Sequence, residues 1–164
     1  MKKVYLIGGT MGVGKTTVCR RLQMDLPRSV FLDGDWCWDA HPFQVTEETK
    51  AMVLDNISHL LNNFIHCSAY ENIIFCWVMQ EQSIVDAVRN RLELSDCDVI
   101  SVSLLAAPET VRERLLSDIR NGIRTDDVIE RSLSRIPQYA ALDTRKVETD
   151  GKTVEEISQE IRAL

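Results

Sequence analysis

Residues Gly9-Thr10-Met11-Gly12-Val13-Gly14-Lys15-Thr16 fit the pattern G-x-x-x-x-G-K-[ST], and no other stretch constrains this chain as tightly. The run Lys3 to Ile7 before it is short, β-branched and apolar, which predicts a buried strand. After it, Lys15 to Leu26 carries Val18, Cys19, Leu22 and Leu26 at helical spacing and stops at Pro27. Between a strand and a helix, glycines let the backbone curl so that successive N–H groups from Gly9 to Gly14 point inward at phosphate oxygens. The helix N-terminus adds its partial positive charge. Lys15 can reach the β- and γ-phosphates of a nucleotide, the Thr16 hydroxyl can ligate Mg²⁺, and Thr17 can reach the α-phosphate.

The rest of the chain alternates between two periods. Strands are expected at Ser29–Leu32, Asn72–Val78, Asp98–Leu105 and Lys146–Glu148. Thr46 is a good N-cap for a helix reaching His66, with Val53, Ile57, Leu60 and Phe64 on its apolar stripe. Further helices are expected at Glu81–Leu92, from Pro108 to about Arg120, and from Asp126 or Asp127 to about Arg135, before Pro137. Thr153-Val154-Glu155-Glu156 is a capping box that opens the last helix. This order predicts one α/β domain over 1–164, a five-stranded parallel sheet covered by helices on both faces.

Charge narrows the partners. The formal net charge of −6 argues against a nucleic-acid binder, whose affinity rests on neutralising phosphates. A small polyanion is not excluded, because a pocket can be basic on an acidic protein. No stretch approaches a membrane span, and the four apolar residues before Gly8 are too few for a signal peptide. The five cysteines are odd in number and lack C-x-x-C spacing, which predicts reduced thiols in a cytoplasmic protein.

Asp33 and Asp35 fall at the carboxyl end of the second strand, the edge where ligands of open α/β sheets bind. Phosphoryl transfer to a hydroxyl needs a group that takes the acceptor proton and a metal-water shell around the phosphates. One carboxylate would serve each need. The third strand ends without an acidic residue, which argues against a motor-type ATPase. The absence of an Asn-Lys-x-Asp stretch favours ATP over GTP as donor. Trp36, Trp38 and Phe43 follow the second strand and Trp77 lies at the end of the third; they are expected to wall an apolar or ring-shaped acceptor. Packing under the loop is the alternative role for these rings.

The chain resembles the small P-loop kinases, the adenylate-kinase-like phosphotransferases that include gluconate, shikimate and adenylyl-sulfate kinases and chloramphenicol phosphotransferase. Four stretches carry the resemblance: the loop at 9–16, Phe31-Leu32-Asp33-Gly34-Asp35, the arginine-bearing stretch Arg112 to Arg135, and Thr149-Asp150-Gly151-Lys152-Thr153-Val154-Glu155-Glu156. It implies a P-loop NTPase fold with a small helical lid at about 112–136, and an ATP- and Mg²⁺-dependent phosphotransferase acting on a small-molecule acceptor. A regulatory nucleotide-binding NTPase is the alternative. By the same analogy Asp35 is the acceptor-side base and Asp33 the metal-water partner, with the reverse split left open. Among the lid arginines Arg120 and Arg124 are expected to clamp the transferred phosphoryl group, and Arg131 to face substrate. Gly151 and Lys152 are expected beside the nucleotide base.

Overall fold

The computed structural model describes residues 1–164. Its strands are β1 (Lys2–Gly9), β2 (Ser29–Asp33), β3 (Asn72–Cys76), β4 (Cys97–Leu105) and β5 (Arg145–Glu148). Its helices are α1 (Lys15–Asp25), α2 (Glu47–His66), α3 (Gln82–Arg89), α4 (Pro108–Arg120), α5 (Val128–Ala141) and α6 (Val154–Arg162), with a short 3-10 turn at Gly34–Cys37. All strand pairs are parallel, in the order β2-β3-β1-β4-β5. The architecture is that of a P-loop NTPase, a five-stranded parallel sheet with helices on both faces. No helix is long and apolar enough to cross a membrane.

Alternation along β1 sorts the core into two layers. Tyr5 and Ile7 pack with Val18, Cys19 and Leu22 of α1 and Ile157 and Ile161 of α6. Val4 and Leu6 point the other way, onto Val53, Ile57 and Leu61 of α2 and Val85 and Val88 of α3. A central strand buried on both sides has no polar face, which is why Val4 to Ile7 reads as an unbroken apolar run. The buried stripe of α2 is Val53, Ile57, Leu61 and Ile65; the expected Leu60 and Phe64 flank it, because an apolar stripe is broad enough to blur its centre.

Besides α3, which ends at Arg89 rather than Leu92, two expected boundaries are corrected. β3 ends at Cys76 rather than Val78. Its register with β1 stops at Ile7↔Cys76, whereas β1 continues beside β4 to Gly9↔Leu104. The two central strands therefore part at their carboxyl ends, after a last bond from the Trp77 N–H to the Ile7 carbonyl. The second correction is α5, which runs through Pro137 to Ala141 instead of ending near Arg135. An interior proline costs about 3 kcal/mol in a helix. Burial of Val128, Ser132 and Tyr139 along one face of α5 offsets that cost.

Candidate functional site

The gap where β1 and β3 separate is filled by the loop 9–14. α1 begins with Gly14 as its N-cap, no side chain caps it, and its first turn contains no acidic residue. The N–H groups of that turn are thus left for a ligand. Gly12 sits at φ +84, and a Cβ there would lie 2.9 Å from Leu115 Cγ. Only glycine allows both that backbone and the close approach of α4. α4 and α5 embrace the loop from outside: Arg114 Nη1 donates to the Val13 carbonyl at 2.9 Å, and Thr10 Oγ1 donates to the Ser132 carbonyl at 2.7 Å.

Lys15 Nζ donates to the carbonyls of Gly9 at 2.8 Å and Thr10 at 3.1 Å. Burial pushes its ammonium below the usual lysine range, against the pull of Cys76, Asp35 and Asp33. Next to it, Thr16 Oγ1 donates to Asp33 Oδ2 at 2.9 Å. The other Asp33 oxygen accepts the Asp35 N–H at 3.1 Å and so caps the 3-10 turn. That turn swings Asp35 into the cleft. Desolvation and the neighbouring Asp33 raise the Asp35 carboxyl above its ordinary range, opposed by Lys15, Arg124 and the Trp77 indole. Trp77 lies so close to Gly34 that a Cβ there would meet its ring at 2.5 Å.

These groups share a cleft of about 310 Å³. A larger open depression of about 790 Å³ lies between Trp36, Cys37 and α2, but it has no phosphate-binding loop. Chemistry therefore selects the smaller cleft. Of the residues expected from sequence, Met11, Gly12, Gly14, Lys15, Thr16, Thr17, Asp33, Asp35, Trp77 and Arg124 line it. Gly9 and Thr10 stand behind it and hold Lys15, while Val13 is buried in the core. Arg124 Nε donates to Asp118 Oδ2 at 3.0 Å, and both side chains remain about a third exposed (32%).

Other expected residues are directed elsewhere. Arg120 donates to the Leu116 carbonyl one turn back in its own helix. Arg131 pairs with Asp127 at 3.6 Å. Lys152 pairs with Glu160, and Gly151 turns in open space beyond β5, two strands from β1. Trp36 packs edge-on against Phe31, and Trp38 against Phe43 with ring centroids 4.4 Å apart; none of Trp36, Trp38 and Phe43 lines the cleft itself. Conversely, Asp118 and Arg114, a lid arginine other than the expected Arg120 and Arg131, do line it. A signal existed: both lie one turn from buried Val111 and Leu115 on the same side of α4.

The donor set suits Mg²⁺. Thr16 and Asp33 offer hard oxygens, and no group of three or more His, Cys, Asp or Glu side chains forms a cage. Magnesium is commonly held by one or two protein oxygens with substrate phosphates and water completing the shell.

The sequence matches the family described as "AAA domain" over residues 6–135. Among solved structures, a sugar kinase from Janibacter sp. HTCC2649 superposes with a TM-score of 0.75 at 16% identity, covering 99% of this chain and 94% of that one. The Deinococcus radiodurans tunicamycin resistance protein gives 0.71 at 19% identity, covering 99% and 95%. A gluconokinase from Sinorhizobium meliloti 1021 gives 0.69 at 18%, covering 98% and 90%. No curated protein matches the sequence. At these identities the likeness is one of fold, and it extends over nearly the whole chain.

Proposed function

The chain belongs to the AAA-domain family and has the fold of the small P-loop kinases, and from that premise we propose that it is an ATP-dependent phosphotransferase with a small-molecule acceptor. One observation carries the reading: Asp35 lines the same cleft as Lys15, Thr16 and Arg124. A carboxylate beside a phosphate cradle is what transfer to an alcohol requires. Asp33 already meets the need for a metal-side carboxylate, which leaves Asp35 for the acceptor.

In this reading the open amides of the loop and Lys15 bind the donor phosphates, and Lys15 exchanges its two carbonyl partners for phosphate oxygens. Arg114 and Arg124 stand on the α4 side, where they balance charge on the transferred group. Thr16 and Asp33 would hold Mg²⁺, which when bound neutralises charge on the β- and γ-phosphates. The acceptor hydroxyl oxygen forms its bond to the γ-phosphorus as the bond from that phosphorus to the bridging oxygen breaks. The electron pair leaves with ADP, and the hydroxyl proton passes to Asp35. A carboxylate whose proton affinity is raised is a better base for that step than an ordinary one. All five cysteines are free, which fits a reducing compartment such as the cytoplasm.

The test is ADP release from ATP·Mg²⁺ across panels of sugars, nucleosides, amino alcohols and nucleotides. Release that depends on one acceptor class supports a kinase. Steady release without any acceptor replaces it with the regulatory NTPase reading.

A further inference from the structure

The cleft has two sides of opposite electrostatic character. On the loop and α4 side are three cations, Lys15, Arg114 and Arg124, against one carboxylate, Asp118, which is paired with Arg124. On the other side, the chain from Ser29 to Val88 contains a single lysine or arginine, Lys50, paired with Glu47 at 2.9 Å, and three histidines, His41, His59 and His66, counted as neutral in the formal charge at pH 7. This stretch supplies Asp33 and Asp35 at the end of β2, the whole 3-10 turn, the segment 38–46, α2 and Trp77. Every element that continues outward from Asp35 is therefore poor in permanent cations.

What the stretch does present is acidic and aromatic. Asp35, Asp39, Glu47 and Glu48 are exposed along it. Trp36 is 52% exposed and Phe43 59%, and each ring packs on one aromatic neighbour, Phe31 and Trp38 respectively. Two arginines from elsewhere reach this rim, and both are occupied. Arg20 lays its guanidinium over the Phe31 and Trp36 rings, 5.0 and 5.1 Å from their centroids. Arg91 stands 3.9 Å from Asp55 and donates to the Ala87 carbonyl.

On this side of the cleft an acceptor carboxylate or phosphate would lie against carboxylates, with the two rim guanidiniums already engaged, Arg20 by the Phe31 and Trp36 rings and Arg91 by Asp55. Like-charge juxtaposition of this kind costs several kcal/mol at an interface. A neutral or amine-bearing molecule meets no such penalty. It gains from the acidic rim if it is cationic and from the rings if it is flat. We infer that the acceptor is an alcohol carrying no anionic group, neutral or amine-bearing, with an apolar or aromatic face. The inference rests on the kinase reading above and narrows its substrate class.

The experiment uses matched acceptor pairs that differ only in an anionic group: nucleosides against their 5′-monophosphates, and amino alcohols or polyols against the corresponding hydroxy acids. Acceptor-dependent ADP release is measured for each. The uncharged or cationic member is expected to have the higher kcat/KM by ~10-fold or more. Raising ionic strength should narrow the gap, since the repulsion is at an exposed rim. The double variant Asp39→Arg/Glu48→Arg should also narrow it, without loss of ATP binding. A preference for the anionic members, or a ratio unmoved by both salt and the double variant, overturns the inference and leaves the kinase reading intact. ADP release that no acceptor stimulates overturns both.

Discussion

The Thr16 hydroxyl donates to Asp33 Oδ2 at 2.9 Å and ties the first turn of α1 to the carboxyl end of β2. The two residues sit on non-adjacent parts of the sheet edge, because β3 lies between β1 and β2. Asp33 meanwhile caps the turn that carries Asp35. One carboxylate thus sets the geometry of both halves of the cleft. Asp33→Asn keeps an oxygen for the cap but weakens the charge-assisted bond to Thr16. It should raise the Mg²⁺ concentration needed for half-maximal nucleotide binding, measured by titration calorimetry, with little change in melting temperature. Unaltered Mg²⁺ dependence would take Asp33 out of the metal shell.

Lys15→Ala should lower acceptor-dependent transfer by ~10²–10³ or more, as removal of one transition-state clamp does. The fold should persist. Lys15 is held by burial below its ordinary proton affinity, so the native state gains little from its charge. Circular dichroism melting and the transfer assay together check this, and near-wild-type turnover would refute the clamp.

The Asp35 carboxyl is raised, which sets a pH sign. As a base it works deprotonated, so kcat/KM should fall as pH drops, with a midpoint above the ordinary aspartate value of about 3.9. For stability the sign is opposite. The folded state holds the Asp35 proton more tightly than the unfolded chain, so stability declines as pH rises from the unfolded to the folded value. Asp35→Asn should therefore lose transfer, keep ATP binding, and melt higher than wild type at neutral pH but not at pH below 3.9. A variant that melts lower at neutral pH would contradict this account.

Gly34→Ala places a methyl 2.5 Å from the Trp77 ring. Overpacking of this kind costs ~1–3 kcal/mol and should shift tryptophan emission. In a Trp77→Ala background the same substitution should cost far less, and a double-mutant cycle reads the difference. Additive effects would mean that the ring is free to move aside.

Arg124→Ala should lower transfer more than tenfold, because Arg124 lines the cleft and one such donor is worth ~10²–10³. Arg120→Ala should stay within about twofold, since Arg120 bonds only its own helix and an exposed side chain of this kind contributes little. Steady-state kinetics on both variants checks the contrast. Equal losses would contradict the assignment of Arg124 rather than Arg120 to the cleft.

The features legible in the chain alone are those that local rules create. The loop 9–16 between a strand and a helix, the Thr46 and Thr153 caps and the alternation of elements each depend on residues a few positions apart. So does the presence of Asp33 and Asp35 at a strand end. Only the tertiary structure decided which distant groups meet. The placement of β3 between β1 and β2 opens the cleft beside Ile7 and Cys76. It brings Asp33 to Thr16 and sets Trp77 against Gly34. Helix phase on α4, fixed by the burial of Val111 and Leu115, aims Arg114 at the loop, while the turn after Gly122 returns Arg124 and leaves Arg120 outside. Pro137 would end a helix by local propensity, and burial of Tyr139 against Gly8 overrides it. Local sequence writes the period and the caps; strand order and packing, which depend on contacts far apart in the chain, write the site.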